Sequence, residues 1–290
     1  MSSFSNPLIV SEDRPLDPAI LHILSVVDRV AAEQACPYIV VGATARDLLL
    51  HHVFGIPTMR ATQDVDFAIA VESWEKFQNL RTALLTTDHF VPGRVEHQLF
   101  LKTPHGITKI PIDLIPFGGV AEKGTIAWPP DRDTVMTVAG FEDALAASVQ
   151  VQVNATFSLP VVSLASFAIL KLFAWQDRKT NDKDALDLYR VISTYADAGN
   201  IDRIYDFETP ILEQVNHDLE LAGAALAGRD ARKLSSSTTL ARLSTLLTSD
   251  FMDALAERIR VSRWPLEPEQ LSRILAMLLV FRGHLLEKSL

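Results

Sequence analysis

The stretch Arg60-Ala61-Thr62-Gln63-Asp64-Val65-Asp66-Phe67-Ala68-Ile69 decides how this chain reads. The apolar run from Val65 to Ile69 predicts a short strand. Side chains alternate across a strand, so Asp64 and Asp66 project together while Val65 and Phe67 point to the other face. Two carboxylates held this close repel and raise each other's pKa unless a cation sits between them. An oxygen-only cluster of this kind suits magnesium rather than zinc. Taken alone, Asp-x-Asp is a weak signal, because exposed strand ends and turns produce it often.

Further along, Ile110-Pro-Ile-Asp113-Leu-Ile-Pro116 sets one carboxylate among apolar residues. A buried carboxylate is costly unless it meets a cation or several donors. If this run is a neighbouring strand, Asp64, Asp66 and Asp113 converge and hold one or two magnesium ions. Such a site activates an attacking hydroxyl, neutralises phosphates and steadies a leaving pyrophosphate. In the other direction lies Val40-Val41-Gly42-Ala43-Thr44-Ala45-Arg46-Asp47. A strand, Tyr38 to Val41, runs into a glycine turn and then a helix from Thr44 to Val53, whose first N–H groups are free to meet phosphate. Arg46 and Asp47 also read as an ordinary surface helix pair.

The rest of the first half interleaves helices and short strands. Asp17 and Pro18 start a helix, and Ile20, Ile23, Leu24, Val27, Val30 and Ala31 recur at helical spacing. Ser73 caps a helix to about Leu85, and residues 98–103 and 108–115 pair around the turn Pro104-His-Gly106. Beyond Val161 only helical patterns remain, broken at Asn181-Asp182, Gly199-Asn200, Ser235-Ser236-Ser237 and Trp264-Pro265. The expectation is an α+β chain: residues 1–158 a catalytic domain with a small mixed sheet, residues 159–290 an all-helical domain completing a cleft.

Within the helical part, Ala168-Ile-Leu-Lys171-Leu-Phe-Ala-Trp175 carries one cation in an apolar run. A lysine there needs a partner or a path to water. Arg178 lies on the same helical stripe, and Asp184 and Asp187, three apart, share a face of the next helix.

The 290 residues carry a net charge of −9, from 36 acidic and 27 basic side chains, and 48% are hydrophobic. That composition supports a sizeable core and disfavours a protein that coats duplex DNA by neutralising its phosphates. A single cysteine, Cys36, excludes an intrachain disulfide and a cysteine-based zinc site. The start, MSSFSNPLIVSEDRP, does not read as a signal peptide, and the apolar stretches near 159–175 and 274–281 are interrupted or short for a membrane span. A cytoplasmic protein with no membrane partner is the expectation. There is no Gly-x-x-x-x-Gly-Lys loop and no Gly-x-Ser-x-Gly elbow. His51-His52 has no third metal ligand at a telling spacing. Arg229-Asp-Ala-Arg232-Lys233 and Arg258-Ile-Arg260 read as solvated helix faces that an RNA could also use.

The glycine turn, the Asp-x-Asp strand and the third Asp together resemble the nucleotidyltransferase superfamily related to DNA polymerase beta. Two departures stand out: Ala43 replaces the usual Gly or Ser, and Asp64 comes 22 positions after Gly42. The extra length falls on His51 to Met59, read as an inserted exposed loop. Gly-x-x-x-Arg-Asp also resembles the tRNA CCA-adding enzymes, whose downstream pattern is not followed. A narrower resemblance is to the AbiEii/AbiGii toxin-like nucleotidyltransferases of abortive-infection and toxin–antitoxin systems. It rests on Arg60-x-Thr62-x-Asp64-Val-Asp66-Phe67 and on Lys171, Arg178, Lys183-Asp184 and Asp187-Leu188, and spans roughly residues 37–192.

That resemblance implies a polymerase-beta-like catalytic domain in which Asp64, Asp66 and Asp113 bind Mg2+. Gly42, Ala43, Thr44, Arg46 and Thr62, with Lys171 and Arg178, line a nucleoside triphosphate such as ATP. Lys171 contacts the phosphates, and Asp184 organises the helical side of the site or serves as its base. It implies RNA, the tRNA 3′ end first, as acceptor, growth inhibition as outcome and a cognate antitoxin as partner. Two other readings share these residues: a small-molecule nucleotidyltransferase of the antibiotic-modifying kind, and a catalytically degenerate nucleotide-binding module, for which only Ala43 speaks.

Overall fold

A computed structural model describes residues 8–57, 64–103, 106–178, 182–262 and 268–287. The chain is mixed α and β and divides into two compact units, Met1–Ser163 and Leu164–Leu290.

The first unit runs β1 (Leu8–Ile9), α1 (Pro18–Glu33), β2 (Tyr38–Val41), α2 (Gly42–Asp47), β3 (Val65–Val71) and α3 (Trp74–Thr86). It continues with β4 (Phe90–Pro92), β5 (Gln98–Thr103), β6 (Gly106–Gly118), β7 (Thr125–Ala127), β8 (Val135–Thr137), α4 (Phe141–Ala146), β9 (Val149–Asn154) and β10 (Phe157–Val161). The order β1-β9-β10-β2-β3-β6-β5-β4 makes an eight-stranded sheet, with β7 and β8 a separate hairpin. The sheet is larger than the expected small one. The short edge strands β1 and β4 carry too little periodicity to be read from sequence. The alternation Val149-Gln-Val-Gln-Val-Asn154 of β9, in contrast, is a strand signal that sequence reasoning passed over. Leu159 and Pro160, where the helical part was expected to begin, lie inside β10. Proline there removes one donor without ending the strand, and β10 meets β2 only at Val161.

Local chemistry explains the elements around the site. Asp17 caps α1, accepting from the Ala19 N–H at 2.7 Å, and Ile23, Leu24, Val27, Val30 and Ala31 bury one face. All four residues of β2 are buried, as a strand in mid-sheet requires. Ser73 caps α3 through the Lys76 N–H.

The segment after α2 corrects the exposed-loop reading. Leu48–Val53 continues as one turn of π-helix with Leu48, Leu49 and Leu50 buried. His52 Nδ1–H donates to the Arg14 carbonyl at 2.7 Å, and Arg14 Nε donates to the His51 carbonyl at 2.9 Å. These half-buried histidines fasten the N-terminal segment. Thr58 and Met59, the end of the presumed insertion, lie outside the described residues.

The second unit comprises α5 (Leu164–Asp177), α6 (Asp182–Ser193), α7 (Ile201–Phe207), α8 (Thr209–Gln214), α9 (Leu219–Leu234), α10 (Ser237–Leu246), α11 (Ser249–Ser262) and α12 (Pro268–Leu286). Its core includes a fully bonded polar knot: Arg203 makes two 2.6 Å bonds to Asp230, which also accepts from the Tyr195 hydroxyl at 2.9 Å. The basic cluster on α9 is not simply a solvated face. Arg229 pairs with Glu208, and Arg232 Nη1 donates to the Leu285 and Leu286 carbonyls at 3.1 Å, closing the end of α12. Among the described residues no helix is long and apolar enough to cross a membrane.

Candidate active site

Four strands set the site in one row. Antiparallel β2–β3 pairing aligns Val41 with Asp66, parallel β3–β6 pairing aligns Asp66 with Asp113, and antiparallel β5–β6 pairing aligns Asp113 with Gln98. Residues in register share a face, so Asp66, Asp113 and Gln98 stand side by side across the sheet. Asp64, two residues before Asp66, belongs to the same face. The opposite face carries Val65, Phe67, Ile112 and Leu114, all buried. Asp64, Asp66 and Asp113 are half-buried and reachable from solvent.

Gly42 ends the row. Its φ of +67° suits glycine, and a Cβ there would lie 1.8 Å from Asp66 Oδ2. The glycine therefore makes room for a carboxylate of this site, a different reason from the expected approach of phosphate. Thr44 Oγ1 donates to the Asp64 carbonyl at 2.6 Å and pins the start of β3. Arg46 is buried, with Nε 2.7 Å from Asp47 Oδ1 and Nη2 2.6 Å from the same oxygen. That overturns the surface-pair reading: the two side chains are packed inside, where an ion pair must be well bonded to persist. Of the turn residues, Gly42 and Ala43 remain half-exposed, while Thr44 and Arg46 are buried. Thr62 lies outside the described residues.

Burial pushes the Asp113 carboxyl above its ordinary range and Asp64 adds to this, against the opposing pull of His97 and Gln98. Gln98 Nε2 donates to Asp113 Oδ1 at 3.3 Å. The His97 ring lies against Trp128, centroids 4.9 Å apart, and burial lowers its pKa while Asp113 pulls it upward. Sequence reasoning missed His97 and Gln98. Counting the β5–β6 hairpin out from its turn leads to a different neighbour, because the register shifts between Phe100 and Lys102.

In the helical unit, Lys171 is 13% exposed and pairs with Asp184 Oδ1 at 2.9 Å and Asp187 Oδ2 at 2.7 Å. Its Nζ also lies 5.3 Å from the Phe167 ring centre. Burial alone would lower the lysine pKa, but Asp187 and Asp184 outweigh it and raise it. Arg178 Nη2 donates to Asp184 Oδ1 at 3.2 Å and stands 3.0 Å from Oδ2, which it does not meet in hydrogen-bond geometry. The four residues foreseen as a group thus do meet: Lys171, Asp184 and Asp187 pair largely buried between α5 and α6, and the exposed Arg178, just past α5, joins at Asp184. Removing the lysine would take a cation from two buried aspartates, so Lys171→Met should cost fold stability.

Among the described residues, no group of three or more His, Cys, Asp or Glu side chains is gathered closely enough to hold a metal ion. The donor chemistry still fits magnesium: carboxylates on one sheet face, with the charge on Asp113 disfavoured by burial and by Asp64. A cation would reverse that disfavour.

The model of a family described as nucleotidyl transferase AbiEii toxin, type IV TA system, matches residues 25–258. No curated protein matches. Among solved structures, an antigenic nucleotidyltransferase-like protein from Paracoccidioides brasiliensis is similar at 18% identity and a TM-score of 0.41, covering 71% of this chain and 93% of that one. The antibiotic-resistance factor ANT(2'')-Ia is similar at 14% identity and a TM-score of 0.38, covering 70% and 99%. A CCA-adding enzyme in an apo form is similar at 13% identity and a TM-score of 0.32, covering 90% and 71%.

Proposed function

The chain belongs to the nucleotidyl transferase AbiEii toxin family of type IV toxin–antitoxin systems, and from that premise we propose that this nucleotidyltransferase moves a nucleoside monophosphate from a triphosphate such as ATP onto RNA, at the tRNA 3′ end. The acceptor hydroxyl oxygen attacks the α-phosphorus as its proton passes to solvent, and a new P–O bond forms as the bond to the α,β-bridging oxygen breaks. Pyrophosphate leaves with that oxygen.

The observation that carries the reading is the row in which Asp66 and Asp113 are register partners, with Asp64 on the same face and Gly42 opened for Asp66. Asp64, Asp66 and Asp113 would hold one or two magnesium ions. Bound there, magnesium supplies charge neutralisation for the triphosphate and eases loss of the hydroxyl proton. The half-exposed backbone at Gly42 and Ala43 cradles phosphate, and Thr44 and Arg46 keep that turn in shape. For Lys171 and Arg178 the proposed role is contact with the triphosphate. Asp184 is 2% exposed and closed in by both cations, so it orients them rather than acting as the base. Growth inhibition, a cognate antitoxin and a cytoplasmic site of action follow from the family reading.

The test is to incubate the protein with each labelled triphosphate, magnesium and total cellular RNA, beside a panel of small hydroxylated acceptors. Label should enter RNA. Asp66→Ala and Asp113→Ala should each lose about 10³-fold in transfer, since a metal contributes several kcal/mol to the transition state. Transfer to a small acceptor alone would replace RNA by an antibiotic-type substrate. Nucleotide binding without transfer would leave a degenerate module.

A further inference from the structure

The turn between β4 and β5 is built around one amide. Close to the hairpin tip, Thr103 pairs with Gly106 and Lys102 with Ile107. Carried on unshifted, that register would set Glu96 opposite Asp113, a third carboxylate against Asp113 and Asp66. The irregularity between Phe100 and Lys102 moves the pairing by two residues and puts Gln98 there instead. An acid is thereby exchanged for a donor.

Four further hydrogen bonds hold the exchange in place. Gly93 donates its N–H to the Gln98 carbonyl at 2.7 Å, and a Cβ on Gly93 would lie 2.7 Å from Gln98 Cβ and 2.8 Å from its Cγ. Glycine at 93 is what leaves room for the Gln98 side chain. Glu96 is turned away and tied to α3: its carbonyl accepts from Arg81 Nε at 2.7 Å and its Oε1 from Gln78 Nε2 at 2.9 Å. The His97 carbonyl accepts from the Leu114 N–H at 2.8 Å, locking the turn beside Asp113. From this fixed base Gln98 Nε2 reaches Asp113 Oδ1.

We propose that Gln98 is a positioning residue for the nucleotidyl transfer site, holding the Asp113 carboxylate in the orientation that takes a divalent ion, with the Gly93–Gln98 turn as its mount. The inference rests on the reading of Asp113 as a metal ligand. Partners that orient a ligating carboxylate typically matter about 10–100-fold in metal affinity or activity. An amide suits the task, because it donates one directed hydrogen bond without adding charge to an already acidic face.

The experiment is titration of the whole protein with Mn2+, followed by electron paramagnetic resonance, alongside melting temperature and kcat and KM for the triphosphate. Gln98→Met keeps the length and removes the donor. It should weaken Mn2+ binding about tenfold and lower kcat more than it raises KM, at an unchanged melting temperature. Gly93→Ala, which pushes on Gln98, should weaken Mn2+ binding in the same direction, whereas Glu96→Gln should leave it at the wild-type value. If Asp113→Asn loses Mn2+ while Gln98→Met binds it as the wild type does, the positioning role is overturned and the metal reading stands. If Asp113→Asn itself binds Mn2+ normally, the metal reading falls and takes this inference with it.

Discussion

On the sheet face, Asp113 stands beside Gln98, His97 and Asp64, and burial helped by Asp64 pushes its carboxyl upward. Between α5 and α6, Lys171 stands between Asp184 and Asp187, and its ammonium is pushed upward too, by attraction that outweighs burial. The direction is the same and the meaning opposite. An acid with a raised pKa resists its charge, while a base with a raised pKa is confirmed in it. The helix pair is an electrostatically answered network, and such networks hold structure. The sheet face is left with a charge that its own surroundings disfavour, and that is the condition under which a bound cation gains most. On the function proposed above the two roles separate: Asp113 and its neighbours would receive a ligand, and the Lys171 network would hold α5 and α6 together.

The widest gap between the two regions should appear in stability when each loses its key residue. Lys171→Met takes the ammonium from buried Asp184 and Asp187, leaving Asp184 beside the exposed Arg178, and breaking a buried pair costs up to about 3–5 kcal/mol. A large fall in melting temperature is expected, recovered in part by adding Asp184→Asn and Asp187→Asn. Should Lys171→Met melt like the wild type yet fail to bind triphosphate in equilibrium dialysis, the network would be a ligand site with no structural role and the contrast would break.

What the chain discloses before folding follows the same division. Local patterns are strong where one residue type has one reason to be there: the Asp17 cap of α1, the buried run of β2, and the alternation that puts Asp64 and Asp66 on one face. The Lys171, Arg178, Asp184 and Asp187 grouping was also legible, because i, i+3 and i, i+7 spacings fix a helix face whatever packs on it. Non-local register was not. The neighbour of Asp113 depends on an irregularity in β5–β6 pairing that no periodicity announces. His52 read as a loop residue because its partner, the Arg14 carbonyl, is distant in the chain, and Arg46 read as a surface residue because its burial, unlike its local pairing with Asp47, is set by tertiary packing. The reason for Gly42 was half visible: the turn needed glycine, but the atom claiming the space came from β3.

Gly42→Ala sharpens the contrast from the sheet side. A left-handed φ at a non-glycine residue costs roughly 1–3 kcal/mol, and the new methyl must also displace the Asp66 carboxylate. Stability should fall by about that amount, and transfer should fall further than stability, because Asp66 is moved off its row. Guanidinium unfolding and labelled-nucleotide transfer on the same preparation would compare the two. A loss confined to stability would mean that the position of Asp66 does not matter to chemistry.

The smallest effect expected is a gain, and it depends on pH. The folded state raises the Asp113 pKa, so between the ordinary aspartate value and the raised one the folded protein binds more protons than the unfolded chain. Stability therefore declines as pH rises through that window, and the penalty is complete above it. Asp113→Asn removes the titration and keeps an acceptor for Gln98. At neutral pH without divalent ions the variant should melt slightly above the wild type, and the difference should vanish as pH falls below about 3.9, where the carboxyl is protonated in both states. Magnesium should then raise the melting temperature of the wild type and not of the variant, since only the carboxylate form gains by binding it. The helix pair predicts the reverse: Asp184→Asn should lower the melting temperature at neutral pH and stay insensitive to magnesium. A variant at Asp113 that is less stable than the wild type at every pH would place that carboxylate among the structural charges, and the division drawn between the two regions would fail at its centre.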